Sequence, residues 1–228
     1  MDSFGILRQA LLGRGARLEH VDVRERTLYA TKTIAPNEVV LSLPISCCIT
    51  SEGARDSPTA RKIIEKKIEI NDEFTDQVFL TIFFLDDRES KKSFYAPYYA
   101  VLPNNRHDFP VFWSEEQVAW FCGSSIQASI EGLRDCIKAE YDAIVAGAPE
   151  FRRHSFEEYK WARMLISSRA FRVAVLGKTL RLLGPYADMM DHQEHRKTNW
   201  DFDDASMSLT VTALEEIQAN EPIRCHYG

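Results

Sequence analysis

The chain of 228 residues has 28 basic and 34 acidic side chains, which gives a formal net charge of −6 at pH 7. With 45% hydrophobic and 27% charged residues, its composition is that of an ordinary globular protein with a substantial core. The acidic balance and the lack of a dense basic stripe argue against a nucleic-acid partner and favour a basic peptide. The longest apolar run, residues 78–85, is too short to cross a bilayer, so no membrane partner is expected.

Cysteine usage and the N-terminus point to a reducing compartment. The five cysteines are an odd number and contain no Cys-x-x-Cys pair, which argues against a disulfide framework and a zinc–thiolate site. The first residues, Met-Asp-Ser-Phe-Gly, have neither the charged nor the apolar region of a signal peptide. We therefore expect a cytoplasmic or nuclear protein with reduced thiols.

The predicted elements follow the order β, α, β along the chain. Hydrophobic periodicity predicts a helix over residues 4–13 and then strands over 17–23, 27–31 and 39–43. From about residue 52 the period becomes helical, and helices are predicted over 61–70, 74–89, 114–121, 125–146 and 156–175. Beyond residue 184 the pattern returns to short β-type segments. Neither β-rich end has enough strands to stand alone, so the sequence favours one β core split by a helical insertion.

Five segments resemble, in the same order, motifs of the SET-domain protein methyltransferases, in the branch typified by the Rubisco large-subunit lysine methyltransferase. They are residues 26–44, residues 96–103 with the Phe-Trp-Ser at 112–114, residues 161–171, the Asp-x-x-Asp-His at 188–192 and the closing Tyr227-Gly228. Each segment alone is a weak signal. Their order over most of the chain makes the resemblance specific.

The resemblance implies an α+β fold in which a SET-domain β core is interrupted by an all-helical insertion. The core would consist of small sheets with a pseudoknot-like C-terminus. The implied domains are residues 1–50 as the N-terminal part of the core, 51–160 as the helical insertion and 161–228 as the C-terminal part. That last part would carry the cofactor and catalytic motifs.

The resemblance also implies a protein N-methyltransferase that uses S-adenosyl-L-methionine and acts on a lysine side chain, with histidine as the less expected acceptor. The partner would be a protein substrate with a basic or exposed-lysine segment. Tyr227 would be catalytic through its hydroxyl. The implied cofactor-binding residues are Arg24, Glu25, Arg26, Arg169, Asp188, Asp191 and His192. The implied substrate-channel residues are Ser168, Phe171 and Asp188.

Methyl transfer to lysine makes particular demands on such a site. The acceptor amine is mostly protonated at pH 7, and freeing its lone pair costs roughly 4–5 kcal/mol. A narrow apolar channel and the nearby sulfonium both disfavour the ammonium form. A tyrosine hydroxyl and backbone carbonyls can then orient the amine and the transferring methyl group.

Three features depart from the family pattern. The turn that approaches the cofactor normally carries Gly-x-Gly, and the matching positions here are Glu25 and Thr27. Aspartate at Asp191 replaces the usual asparagine before histidine. The branch normally continues into a helical substrate-binding domain, whereas this sequence stops one residue after Tyr227.

Two other functions stay open at this stage. The altered turn favours a non-catalytic SET-like module that binds a protein partner through its helical insert. A metal-dependent hydrolase would need several clustered ligands to face one point, but no spacing matches a His-Glu-x-x-His motif, so no metal site is predicted. The candidate ligands are Asp188, Asp191, His192, Glu194 and His195.

Overall fold

The computed structural model describes residues 2–70 and 74–227. Over these residues the chain forms eight α-helices and ten β-strands. The helices are α1 (Ser3–Leu12), α2 (Ser51–Arg55), α3 (Pro58–Glu65), α4 (Thr75–Arg88), α5 (Ala96–Tyr99), α6 (Glu115–Ala119), α7 (Ser125–Gly147) and α8 (Phe156–Arg169). The strands are β1 (Val21–Arg24), β2 (Thr27–Ala30), β3 (Val39–Pro44), β4 (Ile49–Thr50), β5 (Phe171–Val175), β6 (Lys178–Leu183), β7 (Asp191–His192), β8 (Thr198–Asp203), β9 (Ser208–Ala213) and β10 (Arg224–Cys225).

The described strands form four small sheets. Two of them are three-stranded and antiparallel, with orders β3-β9-β8 and β4-β6-β5. Strands β1 and β2 form an antiparallel hairpin, and β7 pairs in parallel with β10. Small sheets beside many helices confirm the predicted α+β class. The pairs β3–β9 and β4–β6 join the N-terminal and C-terminal parts of the chain.

The chain divides into two compact units. Unit 1 comprises residues 1–51, 90–101 and 169–228, and unit 2 comprises residues 52–89 and 102–168. All strands of the described residues belong to unit 1. The predicted insertion over 51–160 differs from unit 2 in three places: residue 51 and residues 90–101 group with unit 1, and residues 161–168 group with unit 2.

The structure corrects three element predictions. The helix predicted over 156–175 ends at Arg169, and Phe171–Val175 form a strand with alternating buried and exposed residues. The helix predicted over 61–70 ends at Glu65, and the left-handed Lys67, with φ 52°, cannot continue it. The strand predicted over 17–23 is shortened to Val21–Arg24. The other helices agree with the prediction within a few residues.

Serine side chains cap the N-termini of three helices of unit 2, α3, α6 and α7. The Ser57 hydroxyl accepts a hydrogen bond from a backbone N–H in the first turn of α3, and Ser124 does the same for α7. Helix α6 starts with a complete capping box between Ser114 and Gln117. Such caps satisfy N–H groups that have no partner inside the helix, and each contributes about 1 kcal/mol.

Unit 2 contains a buried ion pair between two of its helices. Arg163 on α8 and Glu140 on α7 have side chains that are 1% and 3% exposed. The Nε of Arg163 donates to Oε2 of Glu140 at 3.0 Å, and Nη2 donates to Oε1 at 3.3 Å. The Tyr159 hydroxyl also donates to Oε2, at 3.0 Å. Gln77 and Ser167 accept from the remaining guanidinium nitrogen, so the network is closely satisfied.

Unit 1 packs tightly around Gly184, which follows β6. A Cβ atom added there would lie 2.6 Å from Cδ2 of Leu209 and 3.5 Å from the side chains of Leu43 and Phe171. Real Cβ atoms do not approach other atoms so closely, and well-packed cores tolerate added atoms poorly. The Gly184 carbonyl also accepts the backbone N–H of Asp188 at 3.1 Å. Glycine therefore sets the approach of the 187–192 segment to the sheet.

Two similar turns join the N-terminal and C-terminal parts of unit 1. In each, an asparagine with φ 66° precedes a glutamate: Asn37 before Glu38, and Asn220 before Glu221. Each glutamate accepts a backbone N–H three residues earlier, at 3.0 Å and 2.9 Å. The isoleucines that open the turns, at positions 34 and 217, pair through two backbone hydrogen bonds. The segment 217–223 is thereby fixed to the β1–β2 region.

Candidate active site

The β1–β2 hairpin turns through two residues in the left-handed region. Arg24 pairs with Thr27 across the hairpin, and the residues between them, Glu25 and Arg26, have φ 49° and 70°. A two-residue turn of this kind needs positive φ at both central positions, which favours asparagine and glycine. Neither is present, and each non-glycine residue costs roughly 1–2 kcal/mol in this conformation. Thr27, by contrast, is an ordinary strand residue.

Only one of the three charged side chains of this turn joins the candidate site. Arg26 donates from Nη2 to the Val101 carbonyl at 2.7 Å. Burial lowers the pKa of Arg26, the nearby Arg169 lowers it further, and Asp188 opposes both. Arg24 instead donates to the side chain of Asn220 at 3.1 Å. Glu25 is exposed at the tip of the turn.

Thr27 reaches the other predicted motif. Its hydroxyl donates to Oδ2 of Asp191 at 2.9 Å, between residues 164 positions apart. The position matched to a family glycine therefore carries a side chain that holds the aspartate. No local pattern of residues indicates this contact.

Asp188, Arg169 and Tyr98 form a compact charged cluster. The Asp188 side chain is 0% exposed, and Nη1 of Arg169 donates to its Oδ2 at 3.0 Å and to its carbonyl at 2.9 Å. The Tyr98 hydroxyl donates to the same Oδ2 at 2.7 Å. Burial opposes the charge of Arg169, but Asp188 and the other groups around it raise its pKa. The cluster is thus a salt bridge inside unit 1 that also accepts a tyrosine hydroxyl.

Two atoms of this cluster have no partner. Oδ1 of Asp188 and Nε of Arg169 are shielded from solvent and make no hydrogen bond. An unmade hydrogen bond to a buried group costs about 1–3 kcal/mol, and more when the group is charged. Unsatisfied buried polar groups are uncommon in proteins and mark positions where a partner or strain is to be sought.

The C-terminal tyrosine lies against the 187–192 segment. Strand pairing aligns Arg224 with Asp191 and Cys225 with His192. Beyond the pair, the Tyr227 hydroxyl donates to the Met190 carbonyl at 2.9 Å, and its backbone N–H donates to Nδ1 of His192 at 3.3 Å. The last two motifs of the resemblance therefore lie against each other.

The environment of Tyr227 keeps its hydroxyl protonated. Desolvation raises the pKa of Tyr227 from 10.0, and the nearby Cys225 and Asp191 raise it further, while Arg169 opposes them. At neutral pH the group is therefore a hydrogen-bond donor and not a base. The ring itself is 61% exposed and lies 5.2 Å from the His192 ring, centroid to centroid.

The two other predicted substrate-channel residues have structural contacts of their own. Ser168 is the last residue of unit 2, and its hydroxyl donates to the Leu165 carbonyl within α8. Phe171 is buried and packs edge-on against Trp200, with the ring centroids 5.2 Å apart. Neither makes a described contact with the cluster around Asp188.

The predicted metal-ligand candidates are not gathered at one point. His195 bonds Glu215 at 3.0 Å on the surface, while Asp191 accepts from Thr27. Within residues 2–70 and 74–227, no group of three or more His, Cys, Asp or Glu side chains could hold a metal ion. Nor does any helix in this described part have the length and apolar character needed to span a bilayer.

Comparison with known proteins identifies the sequence pattern. The family described as the SET domain matches residues 25–228. The chain is 28% identical over 177 residues to the chloroplastic [fructose-bisphosphate aldolase]-lysine N-methyltransferase of Arabidopsis thaliana, covering 75% of this chain and 34% of that protein. It is 25% identical over 171 residues to the Pisum sativum ribulose-1,5 bisphosphate carboxylase/oxygenase large subunit N-methyltransferase, covering 72% and 33%. The mouse actin-histidine N-methyltransferase is 26% identical over 217 residues, covering 88% and 35%.

Solved structures agree on the fold. The SET domain of LSMT bound to lysine and AdoHcy has a TM-score of 0.81 at 20% identity and covers 99% of this chain and 54% of that one. Rubisco LSMT bound to AdoMet has a TM-score of 0.78 at 19% identity, covering 100% and 53%. The chain spans about half the length of these structures and about a third of the three sequence relatives named above. On the family match over residues 25–228, the chain belongs to the SET-domain family, whose members among these relatives include protein-lysine methyltransferases.

Proposed function

We propose that this chain is the catalytic core of an S-adenosyl-L-methionine-dependent protein N-methyltransferase that acts on a lysine side chain. One observation carries the proposal: segments from distant parts of the sequence converge inside unit 1. Thr27 bonds Asp191, Arg169 bonds Asp188 and Tyr227 bonds Met190. This convergence supports the proposal that these segments form the cofactor and catalytic site, although two of them depart from the family pattern.

The chemistry of the cluster fits the amino-acid end of the methyl donor, which carries an ammonium and a carboxylate. The unpaired Oδ1 of Asp188 is an acceptor for an ammonium, and the unpaired Nε of Arg169 is a donor for a carboxylate. Arg26 adds a second cation nearby, and Asp191, held by Thr27, adds a second carboxylate, so the site offers opposite charges to both groups of the donor's amino-acid end. Both unpaired atoms are shielded, so a ligand has to uncover them as it binds.

The residues of the chain would bind and orient the reactants. When bound, the methyl donor supplies an electrophilic methyl group on its sulfonium sulfur. Asp191, held by Thr27, would contact the donor together with His192. Tyr227 keeps its proton at neutral pH and would orient the acceptor through its hydroxyl oxygen, as a fixed dipole.

Titration calorimetry tests cofactor binding. Micromolar affinity for S-adenosylhomocysteine and S-adenosylmethionine is expected, with a loss of about tenfold in Asp191→Ala, since a carboxylate contact to a charged group contributes about 1.5–3 kcal/mol. Glu215→Ala is the matched control, because its carboxylate lies on the surface with His195, and it should bind like the parent protein. If the protein binds neither S-adenosylhomocysteine nor S-adenosylmethionine, the proposal is contradicted.

Labelled methyl transfer tests catalysis. The protein substrates to try first are those named by the relatives: aldolase, the Rubisco large subunit and actin. Tyr227→Phe should retain binding of S-adenosylhomocysteine and lose most turnover, because it removes only a hydroxyl. Normal turnover by this variant would show that the hydroxyl has no catalytic role. Transfer to actin alone, at histidine, would replace lysine by histidine as the acceptor.

A second candidate function is a SET-like module that binds a protein partner without methylating it. The observation in its favour is the turn at Glu25 and Arg26, because Arg26 places a guanidinium beside Arg169 and Asp188. The double variant Glu25→Gly/Arg26→Gly separates the two functions. If only the glycine variant binds S-adenosylhomocysteine, the native turn blocks the site and the binding module is the better description.

A further inference from the structure

The sequence resemblance assigns a role to Asp188 and to Arg169, but none to Tyr98, the third residue of the cluster. It lies on the short helix α5, in the Ala96-Pro-Tyr-Tyr segment, and its side chain is 0% exposed. Burial raises the pKa of Tyr98 well above 10.0, and Asp188 raises it further. Its hydroxyl therefore stays protonated and always donates to Asp188, at 2.7 Å.

The arrangement of Asp188 and Arg169 is unusual for such a pair. An arginine and a carboxylate commonly form two parallel hydrogen bonds, one to each oxygen. Here Nη1 of Arg169 and the Tyr98 hydroxyl both donate to Oδ2, and Oδ1 and Nε are left unpaired. A small rotation of the carboxylate would give Arg169 its second bond. The Tyr98 bond opposes that rotation because it fixes Oδ2.

We propose that Tyr98 is a positioning residue of the methyl-donor site: it anchors Oδ2 of Asp188 and so keeps Oδ1 and the Arg169 Nε available to a ligand. This inference rests on the proposed function, since the ligand in question is the amino-acid end of the methyl donor. Without the Tyr98 hydroxyl, Asp188 and Arg169 would close on each other and satisfy their own hydrogen bonds. The site would then lose affinity for the amino-acid end and retain it for the nucleoside.

Two ligands and two matched variants test this. S-adenosylhomocysteine carries the amino-acid end, and 5′-methylthioadenosine has the same thioadenosine without it. Tyr98→Phe removes only the hydroxyl. Tyr95→Phe is the control, because it makes the same change in the same segment and removes a 2.9 Å hydrogen bond to the Cys48 carbonyl. Dissociation constants for both ligands are measured by calorimetry, and urea unfolding checks the stability of each variant.

The expected result is selective. Tyr98→Phe should weaken S-adenosylhomocysteine about tenfold and change 5′-methylthioadenosine less than twofold, since one charge-assisted hydrogen bond is at stake. Tyr95→Phe should leave both ligands within twofold of the parent protein. In addition, Tyr98→Phe and Asp188→Asn should be non-additive, because residues that act through one another share a single contribution.

Each other outcome is decisive. Equal weakening of both ligands in Tyr98→Phe, or parent-like binding of both, overturns the positioning role while the proposed function stands. If the parent protein binds neither ligand, the proposed function fails first. If Tyr98→Phe does not fold, Asp188→Asn alone is measured: a selective loss of S-adenosylhomocysteine supports the proposal, and an equal loss of both ligands overturns it.

Discussion

Replacing Arg163, the arginine of the buried ion pair in unit 2, should make this unit unfold at a much lower urea concentration than in the parent protein. In Arg163→Met, Glu140 loses two hydrogen bonds at 3.0 Å and 3.3 Å and keeps those from the Tyr159 hydroxyl and the Cys136 thiol. At 3.0 Å and an effective dielectric constant of about 20, the attraction is about 5 kcal/mol. Because the remaining carboxylate is 3% exposed, most of this is not returned by hydration. We expect a loss of about 3–5 kcal/mol in the free energy of unfolding.

The control is an exposed ion pair on α7, the helix that carries Glu140. Lys138 and Asp142 lie one turn apart on α7, with side chains 53% and 58% exposed, so Lys138→Met should cost about 0.5 kcal/mol or less. Urea unfolding followed by far-ultraviolet circular dichroism measures both variants. The double variant Arg163→Met/Glu140→Leu should recover part of the loss, because no charge is left buried. A loss in Arg163→Met no larger than that in Lys138→Met would refute the reasoning.

Three further predictions concern the remaining features. Gly184→Ala should lower the free energy of unfolding by about 1–3 kcal/mol through overpacking. Gly132→Ala on α7, where the added methyl group has open space around it, should raise the free energy of unfolding by about 1 kcal/mol. Equal urea midpoints of the two variants would contradict the tight packing at Gly184. Glu25→Asn should stabilise by about 0.5–1 kcal/mol, because asparagine tolerates the left-handed turn, and a lower urea midpoint would contradict this. Burial raises the pKa of Cys225 from 9.0 to about 11, so its contribution to stability is complete below pH 9 and is lost as the pH rises through 11. In iodoacetamide at pH 8, mass spectrometry should therefore find alkylation at the exposed Cys122 well before Cys225, and equal rates would show that Cys225 is not protected.

The sequence was sufficient to predict the class of fold, and it named segments that the structure brings close together. Asp188, Asp191 and Tyr227 were expected to lie in one region, and the parallel pairing of β7 and β10 brings their segments together. The segments at 188–192 and 227 lie at short strands and turns, where residue type strongly limits backbone geometry. The order of these motifs along the chain then allowed the fold to be predicted.

Contacts between distant side chains were not predictable in the same way. Thr27 and Asp191 are 164 positions apart, and Tyr98 and Asp188 are 90 apart, so neither pair has a local periodicity that marks it. The strand Phe171–Val175 was missed for a different reason. Its five residues alternate in burial, but the pattern is short and directly follows helix α8, so the helical period was extended too far.

The two asparagine turns that join residues 34 and 217 have a consequence for how the protein acquires its site. The segment that carries Tyr227 pairs with strands near the start of the sequence, as in the backbone bond from Ile223 to Leu28 at 2.7 Å. Such long-range pairing closes a large loop before it gains any contact energy, so it slows folding. During synthesis, the helical unit can form from residues already made, whereas the β core has to wait for residues 217–225. Until they emerge, β2 exposes the edge that pairs with residues 220–223, and that interval is when the nascent protein is most open to mispairing.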